Sequence, residues 1–212
     1  MRTAHLAAIS SAVWFCALAL SSAQTVDNGS FETPAQPSDS FAYDPSGAGW
    51  TFTNFAGIIN APGGGFFGQN APDGNQYAFL QSSTAPGSIA KSITFSLSGT
   101  YQLPYLIAGR RDNGGGALGN LTYDIVLDSN LIGSDSTTSG QAFTARSFEF
   151  SVGSGVHTLT FEALPSKSNG DDTGFIDLVA IQPVPEPDTT ALLMIALAVI
   201  GLRRRWKRGA SW

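Results

Sequence analysis

The sequence is short of the residues from which most enzymes and metalloproteins are built. Its 212 residues contain one cysteine, Cys16, and two histidines, His5 and His157. Cys16 lies in an apolar N-terminal stretch that reads as removed on export, so no disulfide is available to the remainder, although export would permit one. His157 is then the one histidine left. It sits on an alternating segment beside Leu159 and Phe161 and reads as a core-edge side chain rather than a general base. Zinc and iron lose their usual ligands for the same reason. Positive charge is also scarce: residues 24–182 hold Lys91, Arg110, Arg111, Arg146 and Lys167 against fourteen Asp and Glu, a net charge of about −9 at ordinary pKa values. Such a surface repels phosphate backbones and excludes nucleic acid as a partner. Few Lys and Glu among much Gly, Ser, Thr and Asn argues against a helical domain.

What is present is period-two alternation. Ile93, Phe95 and Leu97 alternate with polar residues, as do Leu121, Tyr123, Ile125 and Leu127, then Phe148, Phe150 and Val152, then His157, Leu159 and Phe161. Further strand candidates are residues 50–55, 76–80, 101–108 and 175–181. Turn signals separate them at Pro72-Asp73-Gly74-Asn75, Ser98-Gly99, Gly153-Ser154-Gly155 and Asn169-Gly170. Eight to ten short strands at this spacing predict an all-β antiparallel β-sandwich, most simply a jelly roll. Two glycine-rich loops interrupt it, 61–70 with Phe66 and Phe67, and 110–120 with Gly114-Gly115-Gly116.

The two ends have a different character. Arg2 and His5 precede an apolar run to Leu20, and Ser21-Ser22-Ala23 then offers small residues, so residues 1–23 are expected to be a signal peptide cut by signal peptidase after Ala23. At the other end Gln182-Pro183-Val184-Pro185-Glu186-Pro187 breaks regular structure, its three prolines removing donors and fixing φ. Residues 191–202 form a twelve-residue apolar stretch, short against the roughly 20 residues of a stable span. Arg203-Arg204-Arg205-Trp206-Lys207-Arg208 follows at once and would stay on the cytoplasmic side. The expected organisation is therefore 1–23 signal peptide, 24–182 sandwich domain and 183–212 tail.

The order Val-Pro-Glu-Pro, short apolar helix, Arg-rich end resembles the PEP-CTERM sorting tail. The resemblance implies an exported protein of a Gram-negative bacterium, transient membrane insertion through the C-terminus, an exosortase-type processing enzyme as partner, and an exopolysaccharide setting. A second resemblance rests on Asn28-Gly29-Ser30-Phe31-Glu32, Gly49-Trp50, residues 72–77 and the closing Phe175-Ile176-Asp177. These are similar to a galactose-binding-like jelly roll, the fold of carbohydrate-binding modules and of an uncharacterised plant cell-wall family. In that family a structural calcium joins the first and last strands near the equivalents of Glu32 and Asp177.

Candidate site residues follow. Asp177 lies in a run apolar on both faces, where an unpaired carboxylate is costly. Its expected partner is an arginine, an Asn or Thr network, or a hard cation such as Ca2+ shared with Glu32. Phe66 and Phe67, flanked by glycines, are either exposed binding groups or a hydrophobic plug. With Arg110, Arg111 and Asn113 they combine aromatic faces and planar hydrogen-bonding groups suited to a sugar; alternatively the two arginines offset acids such as Asp112 and Asp124. No catalytic residue is expected. Glu149 and Glu162, on neighbouring strand candidates, could face one another as a glycosidase pair but alternate with polar residues, as surface glutamates do. The expected function is an exported, surface-sorted binding or matrix protein contacting polysaccharide. The alternatives are an adhesive protein acting through protein contacts and, third, a glycan-active enzyme.

Overall fold

The computed structural model of the protein describes residues 26–60, 66, 68–82, 85–111, 118–165, 171–184, 195, 197–198 and 200. The signal-peptide expectation, Phe67, Asn113 and the Arg-rich end lie outside these residues. So does most of the apolar tail, of which 195, 197, 198 and 200 are helical. Among the described residues no helix is long and apolar enough to cross a membrane.

Among the described residues twelve strands build two antiparallel sheets. They are β1 (Phe41–Tyr43), β2 (Thr51–Thr53), β3 (Ala56–Asn60), β4 (Gln76–Ser82), β5 (Ser88–Phe95), β6 (Gly99–Gly109), β7 (Thr122–Leu127), β8 (Asn130–Ser136), β9 (Thr144–Val152), β10 (Gly155–Ala163), β11 (Asp172–Asp177) and β12 (Gln182–Pro183). The first sheet runs β1-β3-β4-β11-β6, with β12 and β9 also on β6; the second runs β2-β5-β10-β7-β8. Because β9 pairs β6 from Gly99 to Ile107, β11 and β12 must share its other edge. The proline segment, expected to break regular structure, thus begins with a short paired stretch: Gln182 and Pro183 oppose Gln102 and Tyr101, and the Val184 amide donates to the Thr100 carbonyl.

Inward-facing residues of both sheets form one core, including Ile58, Leu80, Leu103, Ile107, Tyr123, Ile125, Leu159, Phe161 and Ile176. Alternation delivers them, since every second side chain of a half-buried strand points inward. Tyr105 and Tyr123 meet between the sheets, hydroxyl to hydroxyl at 2.6 Å, and burial raises the pKa of both phenols. Leu97, expected to continue the β5 alternation, lies beyond the strand and is exposed. Glu149 and Glu162 do not face one another: β9 belongs to the first sheet, β10 to the second, and both carboxylates are exposed. That removes the facing pair a glycosidase would need. His157, within β10, is half-buried at the margin of the core as expected, with Nδ1 2.7 Å from Asp128 Oδ2 and its ring edge-on to Phe95.

The first sheet is unusual in having both faces covered. Ile59, Tyr77, Phe79, Ala108 and Phe175 point outward into a second apolar cluster, capped by Phe66 and flanked by Phe143. This is why residues 77–80 of β4 and 174–176 of β11 are apolar on both faces rather than alternating.

Candidate functional site

The outer face of the first sheet collects one polar network within an aromatic frame. Strand register decides its membership. Gln81 of β4 opposes Thr173 of β11, and Phe79 opposes Phe175, so all four share one face by the two-residue period. Arg110 has the same parity as outward-facing Ala108 on β6, and its amide donates to the Thr173 carbonyl. On β1, Phe41 and Tyr43 are two apart and project together over β3. Tyr43 opposes Gly57, which in turn opposes Phe79. A Cβ on Gly57 would strike the Phe79 ring at 2.7 Å; its absence lets that ring sit 5.1 Å from Tyr43.

The polar members form a chain. The Tyr43 hydroxyl donates to Gln81 Oε1 at 2.7 Å, and Gln81 Nε2 donates to Asp171 Oδ1 at 2.5 Å and to Thr173 Oγ1 at 3.0 Å. Thr173 Oγ1 donates to Asp171 Oδ1 at 3.0 Å, and Arg110 Nη1 to Asp171 Oδ2 at 2.8 Å. The Arg110 guanidinium lies 4.9 Å over the Phe66 ring. Its Nε is buried without a hydrogen-bond partner. Side-chain exposure is unequal across the ion pair: 10% for Arg110 and 47% for Asp171. Phe41 and Tyr43 remain 42% and 43% exposed, with Phe66 packed edge-on beneath Phe41 at 4.7 Å. Burial raises the Tyr43 pKa, and the Asp171 charge adds to this more than Arg110 subtracts.

The structure thus brings Phe66 and Arg110 together and corrects two details of the sequence reading. Phe66 is 5% exposed, a plug rather than a free binding group. The acid offsetting Arg110 is Asp171, not Asp124, whose Oδ1 instead accepts from Ser134 Oγ at 2.5 Å; Asp112 lies outside the described residues. Arg111 is exposed. Phe41, Tyr43, Gln81 and Asp171 went unnoticed in the sequence, because strand register rather than any local motif brings them together.

A second polar centre lies at the other end of β11, about 20 Å from Asp171 at the ordinary strand rise. Asp177 is fully buried; its Oδ1 accepts from the Leu178 amide at 2.7 Å and its Oδ2 from the Asp73 amide at 3.3 Å. Glu32 Oε1 accepts from the Asn75 and Gln76 amides at 3.0 and 2.8 Å, so both carboxylates converge on the 72–75 turn. Burial pushes Asp177 up to about 7, opposed by its backbone donors and reinforced by Asp73 and Glu32. Phe31 and Leu178, next to the two carboxylates, adopt left-handed φ of 56° and 52°, a conformation that persists only where surroundings enforce it. Two carboxylates and nearby carbonyls suit a hard cation. Among the described residues no group of three Asp, Glu, His or Cys is disposed to hold a metal, so backbone oxygens would have to complete such a shell.

The N-terminal motif is explained by this centre. Asn28 Nδ2 donates to the Thr33 and Ala48 carbonyls, Trp50 Nε1 donates to the Asn28 carbonyl, and Phe31 fills the core against Trp50 at 5.1 Å. Gly74, at φ 61°, leaves room that a Cβ would take from the Glu32 carboxylate.

Comparison with known proteins follows the same lines. Solved structures similar to this chain include TmCBM61 in complex with β-1,4-galactotriose, at 16% identity and TM-score 0.50, covering 77% of this chain and 100% of that chain. A family 35 carbohydrate-binding module from Clostridium thermocellum is similar at 16% identity and TM-score 0.43, covering 64% and 92%. So is the module CBM36 in complex with calcium and xylotriose, at 19% and 0.41, covering 61% and 88%. The first of these likenesses supports the jelly-roll fold. No curated protein matches. Residues 183–208 match the PEP-CTERM protein-sorting motif, which marks the protein as exported and directed to the surface. Residues 22–162, well over half of the chain, match the family model described as HpiC1-like, HpiC1 cyclase, and the chain therefore belongs to the HpiC1-like family.

Proposed function

We propose that this is a surface-sorted binding protein of a Gram-negative bacterium whose outer aromatic face contacts polysaccharide of the envelope or exopolysaccharide matrix. The observation behind this reading is the pair of half-exposed rings, Phe41 and Tyr43, beside the Gln81–Asp171–Arg110 network. Sugars offer apolar C–H faces and polar rims, and sites for them combine an aromatic platform with planar hydrogen-bonding side chains. In this reading Phe66 and Arg110 support the platform, and a part for Arg111, Phe67 and Asn113 in sugar contact belongs to the same proposal. Export uses signal peptidase at the N-terminus. The short apolar tail inserts transiently before an exosortase releases the protein. Glu32 and Asp177 hold a structural Ca2+ that ties the first loop to the last strand. Retention of the folded chain on a panel of immobilised polysaccharides tests the binding reading. The expected result is retention of wild type and loss in Tyr43→Ala; no retention on any polysaccharide would leave an adhesive role through protein contacts.

A second reading takes its support from the family match alone: the same aromatic frame holds an apolar small molecule for cyclisation. Turnover of such a molecule by wild type, lost in Phe41→Ala, would favour it.

A further inference from the structure

Resting on the polysaccharide reading, we infer that the outer-face site takes an uncharged sugar unit, hexose or pentose, and rejects uronates. Asp171 is the acceptor for ligand hydroxyls, and Arg110 is a positioning residue.

The two arginines of the 110–111 pair suggest an anionic ligand from sequence alone. The geometry points the other way. Arg110 is nine-tenths buried, its Nη1 is committed to Asp171 at 2.8 Å, and one face of its guanidinium lies 4.9 Å over Phe66. A guanidinium that recognises a carboxylate offers two parallel N–H groups to it; here Nη1 is already held by a carboxylate of the protein and Nε is buried out of reach of a ligand. The member of the pair that meets solvent is Asp171, at 47% exposure. The local field has the same sign. At the Tyr43 hydroxyl, between the exposed rings and the network, the effect of Asp171 exceeds that of Arg110. With a domain net charge of about −9 behind it, the surface presented to a ligand is acidic, and like-charge contact penalises a uronate.

Hydrogen-bonding capacity agrees with this assignment. Gln81 and Thr173 hold Asp171 Oδ1, and Arg110 holds Oδ2, which fixes the carboxylate plane. An ionised carboxylate has about four acceptor positions, and donors among the described residues use three of them. The remaining capacity and the 47% exposed surface face solvent next to Tyr43, where a sugar hydroxyl can donate while its C–H face rests on Tyr43 or Phe41. Arg110 fixes the direction of that carboxylate without touching the ligand.

The test is affinity electrophoresis of the full-length chain in native gels containing neutral β-1,4-galactan, xylan or β-1,3-glucan, and in gels containing polygalacturonate or alginate. The expected result is retardation by at least one neutral polysaccharide, insensitive to 0.1–0.5 M salt because no ligand charge is involved, and free migration through both polyuronates. Asp171→Asn should weaken neutral retention roughly tenfold or more, the scale of a charge-assisted hydrogen bond, and create weak polyuronate retention by unmasking Arg110. Should that variant fail to fold, Phe41→Ala, which removes a half-exposed ring and leaves the ion pair intact, should lose neutral retention and still migrate freely through both polyuronates. Stronger retention by a polyuronate than by any neutral polysaccharide overturns the inference while leaving the polysaccharide reading intact. Absence of retention on every gel overturns both.

Discussion

Asp177 is a buried carboxylate held by two amides and faced by two other acids. Its pKa rises from 3.8 to about 7. Between about pH 4 and pH 7 the folded metal-free protein therefore keeps a proton that the unfolded chain has lost. A group with a raised acid pKa favours folding at low pH, so its contribution falls as pH rises through this window, by on the order of a few kcal/mol. Urea melts in chelator at pH 4.5 and pH 7.5 should show that slope, and Asp177→Asn should flatten it. Calcium at pH 7.5 should raise the melting temperature of wild type and leave Asp177→Asn unchanged, because an ion bound only by the native state stabilises by mass action. A calcium-independent melt would leave the two carboxylates as hydrogen-bond centres of the 72–75 turn. Gly74→Ala, at φ 61° and against Glu32, should cost about 1–3 kcal/mol in a denaturant melt.

Between elements, the two sheets are joined along one side where edge strands β8 and β9 approach. Arg146 Nε donates to Asp135, and Phe148 packs over Gly133, where any Cβ would overlap its ring. Gly133→Val should therefore force these edges apart and cost about 1–3 kcal/mol by urea melting; an unchanged midpoint would show that β8 and β9 are not coupled. The sequence revealed elements of this kind unevenly. β5, β7, β9 and β10 each have one face on the core and one toward solvent, and their alternation was plain. β3 and β1 went unread: Ala56–Asn60 is apolar on both faces, and Phe41–Tyr43 is three residues on an edge. The same covering of the outer face hid the candidate site. Tyr43, Gln81, Arg110 and Asp171 come from β1, β4 and the segments flanking β6 and β11, and only strand register assembles them. The Asn28–Glu32 motif was legible because its partners repeat as short local signatures, residues 49–50 and 72–77.

For the whole molecule, export and sorting precede the binding role proposed above. The sorting motif begins at residue 183, inside β12, and the last described pairing is Val184 with Thr100, so a cut beyond Val184 leaves every described strand in place. Mass spectrometry of the exported protein should find the chain ending near Pro187; a mature species with its Arg-rich end intact would make the tail a plain anchor. The most direct test of the binding face itself is NMR shift mapping of the full-length chain titrated with a neutral oligosaccharide that retards it in gels. Shifts should concentrate at Phe41, Tyr43, Gln81, Arg110 and residues 171–173, with Asp177 and the exposed side of β7, β8 and β10 unaffected. Saturable shifts confined to that second sheet, with residues 41–43 and 171–173 unmoved, would contradict it.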